Sequence, residues 1–292
     1  MANSSKNSNF ESPLRYPGGK ACIFPFISNL FFENDLIGTN YAEPYAGGAG
    51  LALKLLFNEY VDNIYINDLD RSIYFFWKVI LEQNVKFCDW IENTKVDLET
   101  WHYYKSVQKE LSLHNEFTIA QSLFFLNRTN VSGVIKGGAI GGLRQRGNYK
   151  IDVRFNKDDL INRIQRIQRF KHRIKISNYD GIKFIKRIEK LRDDVFIYLD
   201  PPYLQKGADL YMNFYSDTDH KKLAKHVEKL DNKWLVSYDN HDFIIQLYNQ
   251  YKKVNYQLSQ SASNRIGDEI LIFSKKVNFK DSILKLSEPI LI

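Results

Sequence analysis

The chain has 292 residues and a formal net charge of +7. That length can bury one good core and a second small domain, while two cysteines, Cys22 and Cys88, exclude a disulfide framework or a cysteine-based metal site and fit a reducing cytoplasm. No apolar run reaches membrane-span length, no signal peptide opens the sequence, and the polar stretch at 1–9 reads as a disordered tail.

In chain order, the first motif is RYPGGK, Arg15 to Lys20. It superficially resembles a phosphate loop, but it lacks the Ser/Thr after the lysine, the full spacing and a preceding strand. A helix is expected over 21–33. YAEPYAGGAG then gives a short strand, the carboxylate Glu43, Pro44 and a glycine loop at Gly47, Gly48 and Gly50 before a helix. Glycine there lets backbone pass close to a ligand. The next strand ends in Asp68, about twenty residues on, where an acid suits ribose hydroxyls. Helices are expected at 71–93, 100–112 and 116–127, a mobile loop at 129–155 and a helix at 158–170. The stripe Ile73, Phe76, Trp77 and Ile80 reads as helix core.

The charge is concentrated in this middle region. From Arg128 to Lys175 there are thirteen Lys or Arg against three acids, a density that suits a phosphate backbone. Arg163, Arg166, Arg169 and Arg173 recur at helical spacing and fit a solvated face. The Gly-rich stretch with Lys136, Arg144, Arg146, Tyr149 and Lys150 fits a functional loop.

The sheet pattern resumes with a strand at 173–177, a helix at 181–191 and the strand Val195 to Leu199. Asp200, Pro201, Pro202 and Tyr203 stop that strand, because proline cannot donate to the ladder. Carboxyl ends of strands in open α/β sheets are where ligands bind. The Asp200 carboxylate and the Pro201 carbonyl could accept hydrogens from a planar exocyclic amine and stabilise the positive charge it gains on methylation. Tyr203 would stack on the base. A connection at 204–217, a helix at 219–230, a strand at 234–238, a helix at 241–250 and a closing hairpin at 253–274 complete the pattern. The expected fold is α/β, a mostly parallel Rossmann-like sheet with a late antiparallel hairpin. It is built from 10–80 and 171–280 and interrupted by a mainly helical insert at 81–170.

RYPGGK, EPYAGG, IND, FLNRTNVSG, SNYD, LDPPY, VSYDN and DEILIF occur in that order over most of residues 14–274. In this the chain resembles the alpha-ordered DNA adenine-N6 methyltransferases, the deoxyadenosine methylase family. The resemblance implies an S-adenosylmethionine-dependent methyltransferase fold, with the insert as target-recognition domain. It implies methyl transfer to adenine N6 in duplex DNA, a base flipped out of the stack, and no metal. It implies that Tyr16, Lys20, Glu43, Pro44, Gly47, Gly48, Asp68, Asp180 and Asp200 bind the cofactor, and that Asp200, Pro201, Pro202 and Tyr203 hold the target base. Arg15, Arg128, Asn130, Lys136, Arg144, Arg146, Tyr149 and Lys150 are the expected DNA contacts, and a cognate restriction endonuclease is a candidate partner. The best-known relatives read GATC through an EFNVP-type stretch, replaced here by KGGAIGGLRQRGNYKIDVRFN, so GATC is not carried over. Cytosine-N4 methylation, glutamine-amide methylation of protein and DNA binding without catalysis stand as alternatives. Asp rather than Ser before PPY, the basic insert and the intact acids respectively weigh against them.

Overall fold

A computed structural model of the chain describes residues 11–15, 19–204, 215–260 and 265–292. Tyr16, the tail at 1–9 and most of the connection expected at 204–217 lie outside these residues. The chain divides into two compact units, one of Met1–Tyr16 and Phe75–Lys171, the other of Pro17–Tyr74 and His172–Ile292.

The second unit holds one eight-stranded sheet. Its strands are β1 (Thr39–Glu43), β2 (Val61–Asn67), β3 (Ile174–Ser177), β4 (Val195–Leu199), β5 (Trp234–Asp239), β6 (Lys253–Gln260), β7 (Arg265–Phe273) and β8 (Ser287–Leu291). The order is β3-β2-β1-β4-β5-β7-β6-β8. The first five are parallel, and β7 enters antiparallel between β5 and β6. Strand order therefore reverses between β1 and β4, the place where an open α/β sheet leaves a crevice at its carboxyl edge. This is the Rossmann-like α/β sheet expected from the sequence. β4 is buried at all five positions, which is why VFIYL reads as a continuous apolar run rather than an alternating one.

Helices α1 (Phe24–Glu33) and α2 (Gly50–Phe57) come before and after β1 in the chain. Two departures have physical causes. β8 was not anticipated: SEPIL carries a proline and is mostly exposed, so it shows no alternation to read. The helix expected over 71–93 is two helices, α3 (Arg71–Glu82) and α4 (Asn84–Asn93), parted at Gln83, whose backbone leaves the helical region at φ −124° and ψ 40°. Elsewhere polar caps set the starts. Ser216 and Asp219 form a reciprocal capping box on the helix Asp217–Val227, two residues before the expected start.

The first unit is built on aromatic packing among α3, α4, α5 (Leu98–Lys109) and α6 (Glu116–Thr129), with α7 (Lys157–Arg169) packed against α4. Phe76 stacks on Phe124 at 5.7 Å and meets Phe87 edge-on at 6.0 Å. Phe76, Trp77 and Ile80 are buried, as core rather than as a stacking surface. α7 buries Leu160, Ile164 and Ile167, while Arg163 pairs with Asp159 and Arg166 with Glu11. In the sheet unit Arg173 pairs with Glu59. Three of the thirteen basic residues counted in this stretch are thus paired with acids.

Candidate active site

Each of the five parallel strands delivers polar groups to the same edge of the sheet. β1 ends in Glu43, β2 leads into Asp68, β3 leads through Tyr179 to Asp180, β4 leads into Asp200, and β5 ends in Asp239. Glu43 and Asp200 stand on either side of the switch point.

Asp200 is held from two sides. Ser237 Oγ on β5 donates to its Oδ1 at 2.7 Å, and Lys20 Nζ donates to its Oδ2 at 3.0 Å. Tyr198 Oη donates to Ser237 Oγ at 2.9 Å, which fixes the serine in turn. Lys20 also donates to Tyr203 Oη at 2.6 Å and lies 3.6 Å from Glu269 Oε2 on β7. Pro201 is buried and Pro202 half-buried. The ring of Tyr203 is itself buried, so in this conformation it packs in the core and does not present a face for stacking.

The glycine loop is shaped by backbone. Gly47 and Ala49 both take left-handed conformations, at φ +46° each. The Gly47 amide donates to Asp68 Oδ2 at 2.9 Å, while Asp68 Oδ1 accepts from the Asp70 amide at 2.9 Å. Buried Asn67 donates to the carbonyls of Pro44 and Tyr179, both at 2.9 Å, and so ties β1, β2 and the end of β3 together. Asp180 caps the helix α8 (Gly181–Ile188), accepting from the amides of Ile182 and Lys183. Tyr45 Oη would lie 2.4 Å from a Cβ at position 181, so only glycine fits beside that ring.

The site is electrostatically acidic. Burial, with the Asp200 charge adding to it, raises the Glu43 carboxyl to about 8, even though Tyr41 Oη donates to it at 2.8 Å. Burial, then the neighbouring Asp70, raises Asp68 to about 7. Lys20 is drawn into this set and shared between Asp200 and Glu269. A phosphate would meet repulsion here, whereas ribose hydroxyls, an amino group and a sulfonium meet acceptors. The donor and acceptor set therefore fits S-adenosylmethionine.

Among the expected DNA contacts, two are buried. Arg128 is buried, with Nε donating to the Arg154 carbonyl at 2.8 Å, and burial followed by nearby Arg163 lowers its pKa. Asn130 is fully buried: Oδ1 accepts from Trp101 Nε1 at 2.7 Å, and Nδ2 donates to the carbonyls of Val134 and Ile135. Both hold the fold of the helical unit, because interior polar groups must find partners. Arg15 is half-buried and its Nη1 donates to the Asn130 carbonyl at 3.0 Å. Lys136, Arg144, Arg146, Tyr149 and Lys150 are exposed. Their loop is tied together by its own bonds. Gln145 Nε2 donates to the carbonyls of Ile140 and Gly142, and Gln145 Oε1 accepts from the Ile151 amide.

Sequence reasoning missed four residues that build these sites: Asn67, Asn127, Ser237 and Glu269. Asn127 pairs with both backbone groups of Arg15 and donates to the Gly133 carbonyl. It thereby links RYPGGK to FLNRTNVSG. All four sit inside segments that carried the family resemblance, but nothing local marks one polar residue there as the organiser.

The family model described as D12 class N6 adenine-specific DNA methyltransferase matches residues 16–261. The Type II methyltransferase M.CviBI of Paramecium bursaria Chlorella virus NC1A is 24% identical over 246 residues, 80% of this chain and 86% of that protein. Among solved structures, a putative RNA methyltransferase of Pyrococcus horikoshii matches 89% of this chain and 84% of its own at a TM-score of 0.41 and 10% identity. TrmK of M. capricolum, in complex with S-adenosyl-homocysteine, matches 85% and 69% at a TM-score of 0.36 and 10% identity.

Proposed function

Given that the chain belongs to the D12 class of N6 adenine-specific DNA methyltransferases, we propose that Asp200 and the Pro201 carbonyl receive an adenine flipped out of duplex DNA, with the acids of the neighbouring strand ends around the cofactor. The enzyme is S-adenosylmethionine-dependent and methylates N6 of adenine in DNA. The bound cofactor supplies a methyl group already activated by its sulfonium charge.

The observation that carries the assignment of roles is the mounting of Asp200. Both of its oxygens are oriented, by Ser237 and by Lys20, at the carboxyl end of β4 beside the switch point. An acceptor fixed in advance stabilises a developing positive charge without reorganising during the reaction. Asp200 then accepts one N6 hydrogen and the Pro201 carbonyl the other, which localises the nitrogen lone pair. Asp68 accepts from the ribose hydroxyls. Gly47 and Gly48 let the backbone pass close to the cofactor, with Glu43, Pro44, Asp180, Lys20 and Tyr16 completing its surroundings.

The recessed place of Asp200, whose side chain is 20% exposed, supports flipping, since an amine held inside a base stack cannot reach it. Tyr203 must turn out of its contact with Lys20 to offer a ring face to the base. The exposed set Lys136, Arg144, Arg146, Tyr149 and Lys150 grips the duplex from the helical unit. Likeness to a type II methyltransferase supports a cognate restriction endonuclease as protein partner. With 2-aminopurine at the target position, fluorescence should rise on binding wild-type enzyme and respond differently with Tyr203→Ala, since base–aromatic stacking is worth about 1–3 kcal/mol. No rise with wild type rejects flipping. Identical signals and kinetics for the variant reduce Tyr203 to packing.

A further inference from the structure

Glu269 has no role in the assignments above, yet it lies in the most constrained part of the site. It is 1% exposed. Its Oε2 accepts from Tyr256 Oη at 2.8 Å and lies 3.6 Å from Lys20 Nζ. Its Oε1 is buried with no hydrogen-bond partner among the described residues. The sheet fixes its place: Glu269 faces Asp239, the last residue of β5, on one side and Tyr256 on the other. A register slip of one residue would turn it to the opposite face. Burying a carboxylate with an open oxygen is costly, and a hydrophobic residue at this rung would pack without that cost.

Charge explains what the carboxylate adds. Lys20 and Asp200 alone make a neutral pair, and an acceptor fully engaged by an ammonium is a weakened acceptor. During transfer the N6 lone pair bonds to the methyl carbon, the carbon–sulfur bond breaks with its electrons going to sulfur, and positive charge appears on N6 until one of its hydrogens leaves as a proton. A neutral pair offers that charge little. With Glu269 present, two carboxylates share one ammonium.

We propose that Glu269 is a positioning residue for methyl transfer: it shares the Lys20 ammonium, leaves the cluster with an excess negative charge, and so keeps Asp200 a strong acceptor for the amine. The proposal rests on the role given to Asp200 above.

Glu269→Gln keeps the shape and the acceptor for Tyr256 while removing the charge. On the full-length enzyme with unmethylated plasmid DNA, kcat per cofactor-binding site should fall on the order of 10- to 100-fold, the size found when partners that orient active groups at metal centres are lost. KM for DNA and the calorimetric Kd for S-adenosylmethionine should stay within about threefold, less than half a decade of affinity. Glu269→Asp, which keeps the charge, should recover part of the loss. In a Lys20→Met background the Glu269→Gln effect should largely vanish, because its intermediary is gone. That double variant removes the ion pair as a unit and serves where the single variant fails to fold. A kcat within twofold of wild type, equal losses for Gln and Asp, additive losses with Lys20→Met, or a smaller active fraction at an unchanged rate per site would each overturn the proposal. Wild-type enzyme that forms no N6-methyladenine would instead count against the reading of Asp200 itself.

Discussion

The sheet edge and the Gly-rich loop of the helical unit both depend on charged side chains, but they use them in opposite ways. At the edge, Lys20, Asp200 and Glu269 are shielded and engaged with one another. In the loop, Lys136, Arg144, Arg146 and Lys150 are exposed, and the loop is shaped by Gln145 and by bonds to backbone carbonyls, including those that Lys105 and Lys150 donate. A reaction that creates charge gains most from dipoles and ions fixed in a poorly solvated place. Gripping a duplex needs charges that reach phosphates and release counterions. Under the roles proposed above, the same residue types do chemistry where they are buried and paired, and recognition where they are exposed.

The largest test of this contrast is Asp200→Ala. It should slow single-turnover methyl transfer by at least on the order of 100- to 1000-fold, the effect of losing one preorganised contact, while DNA affinity stays near wild type. A near-normal rate would remove the distinction between the two regions.

Glu43 tests the shielding of the edge through pH. Its carboxyl is raised from 4.5 to about 8 in the fold. The folded protein then keeps a proton that the unfolded chain gives up, so stability falls as pH rises through that window and levels off above it. Wild type should lose a few kcal/mol, roughly, relative to Glu43→Gln between pH 5 and pH 8.5 in urea unfolding. Parallel curves for the two proteins would show that Glu43 is solvated like an ordinary surface acid.

Asp68→Ala should weaken cofactor binding by about 1.5–3 kcal/mol, the value of charge-assisted hydrogen bonds, and slow the bound complex less. Calorimetry showing unchanged affinity would take Asp68 out of the site.

On the recognition side, Arg128→Ala and Arg144→Ala should separate. Arg128→Ala should cost about 1–3 kcal/mol of stability, since it removes a buried donor to the Arg154 carbonyl, and should leave the DNA affinity of folded molecules alone. Arg144→Ala should spare stability and relax one base position by about 1–3 kcal/mol if it pairs with guanine. An unchanged sequence preference over a randomised library would make Arg144 a phosphate contact, like Lys136, whose loss lowers the salt slope by about 1.

Much of this was legible in the sequence because each signal is local. A run such as VFIYL buried on both sides and a proline pair that ends it act within a few residues, and a glycine loop with an acid about twenty residues on acts within one strand–helix–strand unit. They placed the strands and the acids at their carboxyl ends, while the strand order and its switch point came only from the pairing. Partners across the sheet were not legible. Arg128 and Asn130 read as DNA contacts by type and position, and only packing turned them inward onto Arg154 and Trp101. The edge strand β8 left no pattern, and the stripe of arginines on α7 looked open until Asp159 and Glu11 were found against it. Glu269 is separated from Lys20 by nearly the whole sequence. The rung of β7 that holds it beside Asp239 exists only once the strands have paired, because hydrogen-bond register is a property of two segments and is written in neither one alone.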